Sequence, residues 1–138
     1  MRPGMFKTTL VLPAKRRGQL LIEFAVCIPA LVLLVFGAIE FSGYVSLRDS
    51  ANMAGLEGAR AASLVAATEQ EARQAAEQIL QAHGVKQFQV SFSPPLESAD
   101  RGDTIECFVE VPIRDNSRLL GRLSSDRQIV SQAFMVKQ

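Results

Sequence analysis

The chain has 138 residues, of which 48 % are apolar and 21 % charged, so it is neither a disordered nor a low-complexity chain and has the length of one domain plus an appendage. Residues 1–18 hold five of the fifteen cations (Arg2, Lys7, Lys15, Arg16, Arg17) and none of the fourteen acids, which leaves an acidic body behind a basic head. That distribution argues against nucleic-acid binding, which needs cations clustered on a folded face. With two distant cysteines, Cys27 and Cys107, and a single histidine, His83, the chain lacks a disulfide framework, C-x-x-C metal spacing and the parts of a nucleophile–base pair. No enzyme, cofactor, metal site or small-molecule substrate is expected.

Residues 24–39 form a run of sixteen without a charge, and counting from Leu20 gives a helix about as long as a bilayer core is thick, with Glu23 inside it. A soluble core helix of this kind would have little chain left to cover it. A cleaved secretory signal needs a small-x-small site after the apolar run, whereas the sequence there reads Phe36-Gly37-Ala38-Ile39-Glu40-Phe41. The expected element is a retained transmembrane helix over 19–44, with the basic leader 1–18 held in the cytoplasm by its cations and the remainder outside. Glu23 either snorkels to the interface beside Arg16 and Arg17 or is paired within the membrane. Pro29 removes one helical hydrogen bond and is expected to kink the span. Glu40 and Tyr44 read as solvated residues at the outer interface.

Lys15-Arg16-Arg17-Gly18 followed by Gln19-Leu20-Leu21-Ile22-Glu23-Phe24 resembles the processing site of type IV prepilins and pseudopilins. With Pro29 midway along the apolar helix and Gly37-Ala38-Ile39-Glu40-Phe41 at its outer end, the segment more narrowly resembles the TadE-like proteins of tight-adherence (Tad/Flp) pilus systems. The resemblance implies a minor pseudopilin in the bacterial inner membrane, a structural component for assembly or secretion of Flp-type (type IVb) pili. It implies cleavage by a prepilin peptidase after Gly18, with Gln19 as the new N-terminus and Glu23 and Phe24 as part of the recognised motif. It further implies that Glu23 pairs with the N-terminal amine of a neighbouring subunit in the membrane, an intramolecular contact to the Gln19 amine being the alternative, and that other pseudopilins and Tad assembly-platform proteins are partners. The alternative from a different class is an uncleaved single-pass anchor presenting an envelope protein-binding domain.

Beyond Tyr44, a helical stem is expected over 45–83. Small residues recur every fourth position there, with Ala51, Gly55, Ala59 and Ser63 on one row and Ala54, Gly58, Ala62 and Ala66 on the next. Such rows let helices approach closely, either against the chain's own sheet or along another subunit's stem. Thr68 and Glu71 form a capping-box pattern that restarts the helix near Ala67. Ala72, Ala75, Ala76, Ile79 and Leu80 then line one face up to His83, a last-turn residue, with Gly84 as the C-terminal cap.

Over 84–138 the period changes to two and predicts a small β-rich head. Phe88, Val90 and Phe92 begin one strand, Ile105, Cys107, Val109, Val111 and Ile113 a second, and residues 129–136 a third. Pro94-Pro95 ends the first, residues 97–103 form a hairpin loop, and the polar connection 114–126 carries a short turn or helix. Cys107 should point inward as a small buried hydrophobe. Arg101-Gly102-Asp103 is both an adhesive tripeptide and a good turn sequence, and the turn reading is preferred. The expected fold is α+β: a long N-terminal transmembrane helix continuing into a helical stem, then three antiparallel strands packed on the helix.

Overall fold

The computed structural model describes residues 15–117 and 127–138. In chain order these form α1 (Lys15–Ala62), α2 (Glu69–Ala82), β1 (Gln89–Ser93), β2 (Thr104–Pro112), α3 (Ile113–Asn116) and β3 (Gln128–Val136). The class is α+β. Two compact units divide the chain, Met1–Gly37 and Ala38–Gln138. The leader 1–14 and most of the connection before β3, residues 118–126, lie outside the described residues; α3 occupies the start of that connection.

In the first unit α1 is apolar all round from Phe24 onward and runs unbroken through Pro29. Its side chains from residue 18 onward are exposed, Leu21 and Leu33 at 70 % and 73 %. Burying a Leu side chain is worth about 1.5–3 kcal/mol, so a surface of this extent is incompatible with water and suited to a bilayer.

In the second unit the alternation of β-branched and polar residues sets a three-stranded antiparallel meander, order β1-β2-β3. Val90 faces Val109, and Cys107 faces Ala133, so one side of the sheet is apolar. Ile105, Cys107, Val109 and Val111 are fully buried on that side. Ala51, Ala54 and Ala59 from α1, with Ala76 and Leu80 from α2, close the same core. The small-residue rows therefore serve the chain's own packing: a Cβ on Gly55 would meet Ser131 Oγ at 3.3 Å. Ala66 departs from its expected row. The helix ends at Ala62, where Ser63 N–H turns back to Ala59 O, and Ala66 is exposed in the following turn at φ +61°.

α2 starts and stops where its local chemistry dictates. Thr68 Oγ1 accepts from Glu71 N–H, while Thr68 N–H donates to Glu71 Oε2. The Thr68 backbone N–H, and then its hydroxyl, hold the Glu71 carboxyl below the usual carboxylate range. At the other end Val85 N–H reaches Leu80 O and Gly84 N–H reaches Gln81 O, with Gly84 at φ +72°, a Schellman closure in which Leu80 and Val85 are both buried. Ala72, Ala76 and Leu80 are the buried face. Burial pushes the Cys107 thiol up to about 11, as for a small hydrophobe among apolar neighbours.

Candidate functional site

The residues singled out by sequence lie along the N-terminal part of α1. Gly18 is the fourth residue of the helix, exposed, and a Cβ there would meet nothing within 4 Å. The peptide after it therefore lies within α1.

One turn later, Gln19 Nε2 donates to Glu23 Oε1 at 3.2 Å, a contact across i,i+4 on an exposed helix face. That bond supplies the Glu23 carboxylate with one donor from within its own chain. Phe24, 62 % exposed, turns to the surroundings. The arrangement brings Gly18, Gln19, Glu23 and Phe24 into two successive turns ahead of an apolar surface that continues to Ile39 and beyond. α1 is long and apolar enough to cross a membrane: an 18-residue window has a mean hydropathy of 2.6 and none of it is buried.

In the second unit the other Glu-Phe pair divides its work. Phe41 is 68 % exposed, whereas Glu40 is half-buried and its Oε1 accepts a hydrogen bond from Ser117 Oγ, just past α3. Glu40 is thus a link to the residues after α3 and not the solvated edge expected from sequence. Tyr44, 41 % exposed, retains the character of an edge aromatic. Asn52 makes a second long-range link, accepting from Ser131 Oγ at 2.8 Å. Neither link has a sequence signal, because a Glu or Asn on a helix does not announce a serine 77 or 79 residues away.

Arg101-Gly102-Asp103 is consumed by its turn. Gly102 takes φ +98°, Asp103 Oδ2 accepts from Asp100 N–H at 2.8 Å, and Gly102 N–H donates to Lys137 O at 2.9 Å. His83 is the exposed C-cap of α2.

Residues 18–60 match the family model described as TadE-like protein. No curated protein and no solved structure matches the chain. The family match begins at Gly18, covers the apolar helix and the second Glu-Phe, and stops before α2 and the sheet. Gly18 through Arg60 is therefore a TadE-like segment, and it supports a membrane-anchored component associated with a Tad pilus.

Proposed function

We propose that the protein is a minor pseudopilin of a Flp-type pilus system, made as a precursor and cut after Gly18 by a prepilin peptidase. The observation that carries this reading is the coincidence, on one helix, of the Lys15-Arg16-Arg17-Gly18 leader end, Glu23-Phe24 one turn on, and an exposed apolar span. Its work is structural: the span sits in the inner membrane with residues 1–18 in the cytoplasm and the second unit outside, where it meets other pseudopilins and assembly-platform proteins. Gly18 suits the scissile position because it puts no side chain between backbone and protease. Cleavage removes all five leader cations and creates an amine at Gln19. Glu23, carrying its charge into the apolar region, pairs with such an amine on a neighbouring subunit. Pro29 supplies a bend in the span, since it leaves one carbonyl a turn back without its usual donor.

N-terminal sequencing and intact mass of membrane-extracted protein test the reading. Gln19 is expected at the N-terminus, and Gly18→Val should leave a full-length precursor that still inserts. Wild-type protein retaining Met1 in cells that express the matching peptidase overturns it. For topology, an impermeant protease added outside should cut within 97–103; protection of that loop in cells with permeabilised outer layers would reverse the orientation.

A further inference from the structure

β3 is an edge strand, and its hydrogen-bond phase is fixed by two bonds at its ends. Lys137 N–H donates to Asp103 O at 2.9 Å and Ile113 N–H to Arg127 O at 3.1 Å, both in the register that pairs Thr104 with Val136. Odd-numbered residues of β3 therefore turn their backbone groups toward β2, and even-numbered ones turn theirs away. Gln138 N–H confirms the phase, since it leaves the sheet to reach Ser63 O at 3.0 Å. Between these ends the N–H and C=O groups of Val130, Gln132, Phe134 and Val136 form a row with no backbone partner among the described residues.

Natural edges are usually blunted by lysine, proline, shortness or a bulge. The other edge of this sheet follows that rule, because β1 has five residues, exposes Gln89, Ser91 and Ser93, and runs into Pro94. β3 does not. Its nine residues carry no charge, proline or glycine, and Val130, Phe134 and Val136 stand 55–59 % exposed. Charge is confined to its ends, Arg127 and Lys137. The Lys137 ammonium is held in place by Leu96 O at 3.0 Å and Ala99 O at 2.6 Å.

These ends decide what can pair with the edge. Two copies of β3 in antiparallel register about Gln132 would set Arg127 against Lys137 twice, and a parallel pair would set Arg127 beside Arg127. A second copy's β1 offers Lys86 and Pro94 as its flanks and brings no acid. Acids in the middle of an incoming strand are disfavoured as well, since Glu106 and Glu110 already occupy the outer face of β2, Glu106 accepting from Gln132 at 2.9 Å. We propose that the outer edge of β3, unpaired among the described residues, is a strand-addition site for another protein's extended segment, uncharged and apolar-alternating in its middle, with an acidic residue at the end beside Arg127. Main-chain bonds to the even-numbered residues hold the segment, and its acid meets Arg127.

The test uses the full chain in detergent micelles and two synthetic peptides of alternating valine and threonine, one with glutamate at both ends and one with lysine at both ends. The glutamate-ended peptide should bind about tenfold more tightly by fluorescence anisotropy. It should slow amide exchange at Val130, Gln132, Phe134 and Val136. Gln132→Pro, which removes an outward N–H that the β2–β3 ladder does not use, and Phe134→Lys should each abolish that protection. Equal binding of the two peptides, protection confined to α1, or binding that survives both variants overturns the proposal. So does self-association of the chain that Gln132→Pro abolishes, because it would make the occupant a second copy.

Discussion

Gly58 and Cys107 meet across the helix–sheet seam so closely that a Cβ on Gly58 would stand 2.9 Å from the Cys107 Sγ and 3.1 Å from the Ala76 Cβ. Three elements, α1, α2 and β2, converge there, and glycine is the residue that lets them do so. Gly58→Ala gains up to about 1 kcal/mol in helix propensity, but overpacking a tight core costs about 1–3 kcal/mol, so net destabilisation is expected. Cys107→Ala in that background removes the nearest atom and should recover part of the loss. Thermal unfolding of the four proteins in one detergent measures the coupling, expected at about 0.5–1 kcal/mol; strict additivity would show that the contact is not felt.

The same sulfur predicts an alkaline weakness. Burial pushes the folded thiol up to about 11, above the ordinary thiol range, so below that range both folded and unfolded chains keep the proton. As pH rises from 9 toward 11 the unfolded chain loses it first, and stability falls through that window by at most about 2–3 kcal/mol. Denaturant midpoints of wild type and Cys107→Ala between pH 8 and 11 check this. The wild type should lose ground relative to the variant as pH climbs, and parallel curves would place the thiol in a wetter setting.

The turn between the two long helices carries opposing devices. Thr68→Ala removes the cap of α2 and should cost about 0.5–2 kcal/mol. Ala66 sits at φ +61°, where a Cβ is crowded, so Ala66→Gly should stabilise the fold by up to about 1 kcal/mol after the added freedom of the unfolded chain is counted. Urea midpoints of the two variants should therefore move in opposite directions. A loss of stability in Ala66→Gly would contradict the strained turn.

Features set by neighbours in sequence were legible. The capping box at Thr68, the Gly84 stop, the three strands and the inward Cys107 each follow from residues within a few positions of one another. The small-residue rows were legible as a seam but not as to their partner, because a glycine row fits any close surface; Cys107, Ala76 and Ser131 supply the answer here. The row itself was extended one position too far, since nothing in an alanine-rich run marks Ala62 rather than Ala66 as its end. Glu40 was misread for a different reason. Its partner Ser117 lies 77 residues away, and an acid at the end of an apolar helix looks solvated until the segment beyond α3 folds back to it.

For Glu23 the structure supplies a local donor, Gln19 Nε2, and the two readings of this acid now separate cleanly. If the carboxylate merely snorkels, that donor and water suffice, and Glu23→Gln should insert as well as wild type and leave assembly unchanged. If it pairs with the Gln19 amine of a neighbouring processed subunit, removing one member of a desolvated pair strands the other at about 3–5 kcal/mol. Insertion and processing at Gly18 should then continue while co-purification with other pilus components, and piliation itself, fall sharply. The second outcome is expected, because an exposed i,i+4 amide contact contributes only about 0.2–0.5 kcal/mol and leaves the carboxylate's charge unmatched, whereas a neighbouring amine would neutralise it. Gln19→Ala separates the local bond from the intersubunit one: it deletes the side-chain donor yet leaves the new amine in place, so piliation should survive Gln19→Ala and fail in Glu23→Gln. Normal piliation in both, at wild-type protein levels, would reduce Glu23 to an interfacial residue or a mark read by the peptidase.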